Sequence, residues 1–362
     1  MLIIDRYITR EIAKPFLAIS AVLLAIFLSY VAAQFLADAA SGLLPGRLIL
    51  YLIFLKLIVT LEVILPTTLY LSVVLALGRL YTDAEMTALF ACGIGLRRVI
   101  KVVFVLSLFI AAIVAYLSLY GRPWAFGTLY RLRDQAEREF DLAKMESGTF
   151  YQIPAERRIF FAENVDRDRN LALRVFVESE TTEKVQVITA KEMYQRDDAA
   201  TGGKVLVFED GYLYEFSKGG EGGSITHFHT STLSLAENEA PAAGHRGRAS
   251  PNELLASSTN PFDVSEWQWR LSTPLSTVLL ALLAVPLSRA APRQGKYAKI
   301  VTSIVAYALY YNLTAVAKAW VHTRVVGRFP GIWWVPTLLA GVVLTLLWRH
   351  LVERGPRNTV RP

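Results

Sequence analysis

Six long apolar runs, three on each side of a polar middle region, limit what this chain can become more than any other feature. They extend from about Pro15 to Leu36, Leu48 to Leu80, Val99 to Tyr120, Leu271 to Leu287, Ile300 to Val321 and Ile332 to Trp348. Hydrocarbon offers no water to a free backbone group, so runs of this kind cross a bilayer as helices. At 53% hydrophobic and 19% charged residues, the chain is too apolar for an ordinary soluble protein. The second run is unusual in length. As a helix it would measure about 50 Å, too long for a hydrocarbon core of about 30 Å and too short for two crossings with a turn. One crossing is predicted there, tilted or broken between Glu62 and Pro66.

Six crossings place both termini on one side, and the basic residues of the short loops indicate which. Arg6, Arg10, Lys14, Arg79, Arg97, Arg98, Lys101, Arg289, Arg293, Lys296, Lys299, Arg349, Arg354, Arg357 and Arg361 share the terminus side, against Arg47, Arg324 and Arg328 on the other. Lys and Arg accumulate on cytoplasmic loops, so the termini are predicted in the cytoplasm and residues 122–270 on the translocated side. The formal charge of +7 follows from this asymmetry and does not call for a nucleic-acid partner. Near the N-terminus, Leu2, Ile4, Ile8 and Ile12 fall at helical spacing with Arg6, Arg10 and Lys14 free to reach headgroups. That pattern predicts an interfacial helix leading into the first span. No small-residue cleavage site follows the first run, which is therefore expected to stay as an anchor. Cys92 is the single cysteine, so an internal disulfide and a cysteine zinc site are both excluded.

In the middle region Leu129, Leu132, Ala136, Phe140 and Ala143 keep a helical period, continuing the third span outward. From Thr149 the period becomes two. Residues 150–153, 158–165, 171–178, 184–190, 204–216 and 224–235 read as strands, separated by turn signals such as Thr201-Gly202-Gly203 and Gly219-Gly220-Glu221-Gly222-Gly223. Short strands without intervening helices predict an antiparallel sandwich or jelly roll. A linker over residues 237–251 and a small helix over 250–257 return the chain to Glu266-Trp267-Gln268-Trp269-Arg270, whose tryptophans suit a membrane interface. The predicted fold class is thus an α-helical membrane protein of six spans, with an antiparallel β domain between the third and fourth. Its parts are residues 1–121, with a short cytoplasmic helix at about 82–92; residues 122–265, the β domain; and residues 266–362, the last three spans and tail.

The short cytoplasmic helix carries its own signals. Thr82 and Glu85 have capping-box spacing, and Gly93 can supply a left-handed stop. Glu85 has two readings, a cap for its own helix or a group projecting to a cytoplasmic partner. Gly93-Ile94-Gly95 lacks the preceding strand and the Lys of a phosphate loop, and no Walker sequence occurs, so any ATP use belongs to a partner. His227 and His229 share a strand face but find no third ligand at metal spacing, which favours a solvated or hydrogen-bonding pair and no metal. No nucleophile motif of the G-x-S-x-G kind is present. Lys56, Glu62 and Lys318 lie within or beside apolar runs. Either they line a polar face between helices, or the two lysines snorkel to the outer headgroups.

The stretch Leu77-Gly78-Arg79-Leu80-Tyr81-Thr82-Asp83-Ala84-Glu85-Met86 through Ala91-Cys92-Gly93 resembles the cytoplasmic coupling segment of the lipopolysaccharide export permeases, the LptF/LptG family. Asp5-Arg6-Tyr7 with Arg10, Ile64-Leu65-Pro66, and Val285-Pro286-Leu287-Ser288 before Pro292-Arg293-Gln294-Gly295-Lys296 fit the same family, closer to its F-type branch. The resemblance implies a non-catalytic permease subunit, without a cofactor of its own, that extracts lipopolysaccharide from the outer leaflet of the bacterial inner membrane. It implies a G-type partner subunit, a dimeric cytoplasmic ATPase that uses ATP and magnesium, and a periplasmic bridge of similar jelly rolls. Coupling would fall to Tyr81, Thr82, Asp83, Glu85, Met86, Cys92 and Gly93. A lipid path would run by Tyr30, Gln34, Lys56, Glu62 and Lys318, then by inward-facing residues among Phe160, Val175, Val187, Val207 and Phe228. The chain departs from the family at Tyr30, Val31, Gln34 and Asp38, where members carry basic residues toward lipid phosphates. A membrane-anchored enzyme acting on envelope lipids or glycans, or an exporter of another lipid, is the rival reading.

Overall fold

The computed structural model describes residues 3–40, 46–138, 147–153, 158–166, 169–180, 184–197, 204–217, 223–234, 247–289 and 298–352. Phe140, Ala143, the glycine turns at 201–203 and 219–222, most of the 237–251 linker, the 292–296 motif and the basic residues beyond 352 lie outside them. The helices are α1 (Ile3–Ala40), α2 (Ile49–Thr82), α3 (Glu85–Ala91), α4 (Leu96–Tyr116), α5 (Arg122–Arg138), α6 (Asn252–Ser257), α7 (Pro261–Leu287), α8 (Ala298–His322) and α9 (Trp334–Val352). Among the described residues four segments are long and apolar enough to cross a membrane: Ile3–Ala37, Ile49–Thr82, Leu96–Leu132 and Pro261–Leu287. Helix α9 contributes a shorter apolar segment.

One expectation about the first spans changes and another is decided between its alternatives. The N-terminal residues do not form a separate interfacial helix, because α1 runs unbroken through Pro15. Ile8 and Ile12 are fully buried in a core shared with Leu69, Leu77, Met86 and Val99, so protein covers the apolar side that lipid was expected to cover. Helix α2 also continues through Pro66, so of the two alternatives for this span the unbroken one holds. The hydroxyls of Thr67 and Thr68, next to that proline, donate to the carbonyls of Val63 and Ile64 and keep side-chain polarity inside the helix. Between α4 and α5, residues Leu117–Gly121 form a π turn, and the helix continues beyond the third apolar run through Arg138, as its periodicity predicted.

Contacts divide the chain into two units, residues 1–30, 54–127 and 244–362 in one, and 31–53 and 128–243 in the other. The helical unit packs around Tyr70, Val73, Leu77, Val103, Ala281 and Ala284. In the second unit, β1 (Phe150–Ile153), β2 (Arg158–Asp166), β3 (Leu171–Glu180), β4 (Lys184–Asp197), β5 (Lys204–Ser217) and β6 (Gly223–Ser234) form one antiparallel sheet in sequence order. Among the described strands every pairing joins sequence neighbours, without the Greek-key connections that a jelly roll contains. Intervals of a few residues between strands leave each one only its sequence neighbour to pair with.

A line of skipped pairs crosses this sheet. The ladders omit the positions that set Glu163 against Arg174, Arg174 against Lys191, Lys191 against Asp210, and Asp210 against His229. Arg174 and Asp210 both have φ of 50°, a left-handed conformation that shifts the alternation by one residue. The buried side changes accordingly. Phe160 and Ala162 give way to Val165 in β2, Ala172 to Val175 and Val177 in β3, Ala190 to Met193 in β4, and Phe228 to Leu233 in β6. Both halves of each strand therefore feed one core, while Glu163 pairs with Arg174 and Lys191 with Asp210 on the outside. The Lys191 hydrogen bond holds the Asp210 carboxyl below the usual carboxylate range, with His227 adding to the effect.

Gly211 lets β4, β5 and β6 meet beside this line, since a Cβ there would lie 2.3 Å from the Thr189 carbonyl oxygen and 2.6 Å from the Phe228 ring. Neither the backbone nor the packed ring can yield cheaply. Gly211→Ala is expected to destabilise the sheet by about 1–3 kcal/mol, measured as faster amide exchange in β4–β6 of the intact protein. Unchanged exchange there would contradict the close approach.

Candidate functional site

The first candidate site is α3 and what holds it. No capping box forms. Thr82 ends α2 with its hydroxyl donating to the Gly78 carbonyl, and Ala84, at φ 59°, occupies the N-cap without a side-chain hydrogen bond. The physical reason is that α2 extends two residues further than the apolar pattern suggested, so Thr82 is already helical when α3 begins. Glu85 instead accepts a 2.5 Å hydrogen bond from the Tyr7 hydroxyl of α1. At the other end Gly93, at φ 81°, donates to the Phe90 carbonyl and Ile94 donates to the Leu89 carbonyl, the predicted left-handed stop. Met86 is fully buried, whereas Thr82, Asp83, Thr87, Cys92 and Gly93 face outward and Tyr81 is half-buried.

Around α3, three helices tie down the start of α1. Tyr7 is held by Glu85 of α3, Asp5 takes two hydrogen bonds of 2.8 and 3.1 Å from Arg98 of α4, and Glu11 lies 3.6 Å from Arg79 of α2. Sequence reasoning quoted Tyr7 only within the Asp5-Arg6-Tyr7 motif, with no partner, and did not name Glu11; the i, i+4 spacing that puts both on one face of α1 is their signal.

The second site is a buried ionic cluster. Glu62 of α2 is fully buried and accepts hydrogen bonds from Ser118 at 2.9 Å, Arg122 at 2.9 Å and Trp269 at 3.1 Å. Arg122 also donates from Nε to Glu266 of α7 at 2.6 Å, and Lys318 of α8 donates to the same carboxylate at 3.1 Å. The Arg270 Nε lies 3.6 Å from Glu266 without a hydrogen bond, while its terminal nitrogens bind the carbonyls of Arg248 and Ser250 and the Asn252 side chain. The π turn contributes directly: it brings Ser118 and Arg122 to one side, where both reach Glu62. Three cations against two carboxylates leave an excess positive charge in a low-dielectric setting. Lys318 is the most exposed of the five, at 19%, and its ammonium sits 4.9 Å from the Trp269 ring centroid. Of the two readings open from sequence, Glu62 and Lys318 take the polar face between helices. Lys56 is half-buried on α2 and is not among the residues that hydrogen-bond Glu62 or Glu266.

Both sites sit on a chain whose sequence matches the lipopolysaccharide export system permease LptF/LptG over residues 6–349. The match takes in both helical groups and the sheet between them. The chain belongs to the LptF/LptG permease family. It is 27% identical over 330 residues to the lipopolysaccharide export system permease protein LptF of Escherichia coli K12, covering 88% of this chain and 87% of that protein. The LptF of Shigella flexneri is similar to the same extent.

In this permease Tyr30 and Gln34 lie on the exposed side of α1 and Val31 is buried; nothing is described of the Asp38 side chain. Of the five sheet residues named from sequence, Phe160, Val175 and Phe228 join the β core. Val187 and Val207 lie outside that cluster, Val187 half-buried and Val207 buried beside Leu206 and Phe208. Apolar residues on both faces of β4 and β5 hid this from a period-two reading. His227 and His229 stack edge to face at 5.6 Å, with His227 also 3.4 Å from Asp210. Among the described residues no group of three metal-ligating side chains occurs.

Removing one member of a buried ion pair leaves its partner charged in a medium that cannot solvate it. Arg122→Gln is expected to destabilise the permease by about 3–5 kcal/mol in thermal unfolding in detergent. Lys318→Gln should be clearly milder, because Glu266 keeps Arg122. Equal losses would contradict the central position given to Arg122.

Proposed function

We propose that this chain is the F-type permease subunit of an exporter that extracts lipopolysaccharide from the outer leaflet of the inner membrane and passes it outward by way of its β domain. The observation that carries this is the family match across residues 6–349. In this reading six helices cross the membrane, α1, α2, α4–α5, α7, α8 and α9, with both termini cytoplasmic and the β domain periplasmic. A G-type permease, two copies of a cytoplasmic ATPase and a periplasmic bridge complete the machine. The chain itself carries no nucleotide motif and acts as the receiver of force.

The chemistry explains the division of labour. Each buried methylene is worth about 0.8 kcal/mol, so exposing one acyl chain of roughly a dozen carbons costs on the order of 10 kcal/mol. Several chains cannot be drawn through water without a sheltered next site and an external energy source. The bent sheet supplies an apolar interior lined by Phe160, Val175 and Phe228. The exposed apolar stripe of α1, through Leu17, Val22, Ile26 and Tyr30, suits a gate shared with the partner subunit, as does that of α8 through Val301, Val305 and Leu309. The excess positive charge at Lys318 suits a lipid phosphate. Gentle detergent purification should therefore recover a second permease subunit, an ATPase and bound lipopolysaccharide. A chain that purifies alone with hydrolytic activity on envelope lipids or glycans would favour the rival enzyme reading.

Coupling runs through Glu85 in this account. The outward residues on and beside α3, Thr82, Asp83, Thr87 and Cys92, meet the ATPase, and the Glu85–Tyr7 hydrogen bond carries the displacement into α1. Tyr7→Phe and Glu85→Gln should each slow ATP-driven lipid release about fivefold with ATPase docking retained, and the double variant should be no slower than either. Additive losses would separate the two residues.

A further inference from the structure

A groove of about 720 Å³ lies between the first turns of α1 and the N-terminal half of α4, on a side of α1 that neither Tyr7 nor Glu11 lines. One end is basic. Arg98 is neutralised there by its two hydrogen bonds to Asp5, whereas Arg97 and Lys101 are exposed and form no ion pair among the described residues. The other end is apolar and open, with Val105 49% and Phe109 65% exposed. Arg97, Lys101, Val105 and Phe109 follow one another at intervals of four, a single ridge of the helix. From the first to the last the ridge is about 18 Å long, close to half of a hydrocarbon core of about 30 Å.

Two uncompensated cations at the head of a ridge that is one leaflet deep and apolar at its far end match one kind of molecule. A soluble phosphate would use only the basic end, and an apolar helix from a partner would leave the two charges without counter-ions. We propose that the groove binds an anionic phospholipid of the leaflet on the α3 side, its phosphate between Arg97 and Lys101 and one acyl chain along Val105 and Phe109. This site differs from the ionic cluster at Glu62 in its residues and in the lipid it takes. It does not depend on the export reading.

The test uses the full chain with its copurifying subunits, reconstituted into phosphatidylcholine vesicles doped with photoactivatable phosphatidylglycerol or, in parallel, photoactivatable phosphatidylcholine. Phosphatidylglycerol should label peptides of α4 in preference to phosphatidylcholine. Arg97→Gln with Lys101→Gln should reduce that labelling about thirtyfold, and Arg289→Gln should leave it unchanged. Should the double variant fail to fold, Val105→Trp, which fills the apolar end at an exposed position, should also abolish labelling with the charges intact. Equal labelling by the two lipids, or undiminished labelling in these variants, would overturn the proposal. So would a photoreactive residue at position 105 that crosslinks chiefly to a neighbouring subunit.

Discussion

The helical unit depends on how it accommodates charge inside an apolar interior. Arg122 joins Glu62 of α2 to Glu266 of α7, and Glu266 in turn takes Lys318 of α8. Four segments far apart in sequence therefore meet at two carboxylates. Each of these groups alone would be strongly disfavoured there, and only their mutual hydrogen bonds make the arrangement tolerable. Such a cluster specifies geometry more than it adds stability. The helices can shift only as far as the ions remain paired, so the most freedom is left to α8, which enters the cluster through Lys318 alone, and to helices outside the cluster.

Helix α1 is one of those. Its first turns are gripped by α2, α3 and α4 through Glu11, Tyr7 and Asp5, while its later turns expose Leu17, Val22, Ile26 and Tyr30. A continuous helix anchored at its start transmits a push without unravelling. The fully buried Met86 makes α3 part of the same core, so α3 and α1 are joined by packing as well as by the Tyr7 hydroxyl. The unit that would receive force and the helix that would respond are thus mechanically continuous.

The sheet solves a different problem with a similar economy. A meander of consecutive strands normally offers one apolar face, but the slip in alternation at Glu163, Arg174, Lys191, Asp210 and His229 turns both halves of the strands toward one core. Charged residues occupy the line because it faces solvent, and Gly211 admits the close approach beside it.

Sequence alone determined the apolar runs, the change of period at Thr149 and the polar break that became α3. These are local properties, written as spacing and composition within a dozen residues. It also marked Glu62 and Lys318, since a charge in an apolar run needs a partner. It could not name that partner. Arg122 lies just past the third apolar run, 60 residues from Glu62 and 144 from Glu266, and nothing in the intervening chain links them. The capping box failed for the same reason: Thr82 and Glu85 have the right spacing, but α2 claimed Thr82 and Tyr7 claimed Glu85. Likewise the strands were legible while their faces were not, because a left-handed residue at Arg174 or Asp210 inverts every side chain beyond it. Spacing decided which elements exist; only tertiary structure decided which charges meet and which faces are buried, because both depend on groups that the chain brings together from a distance.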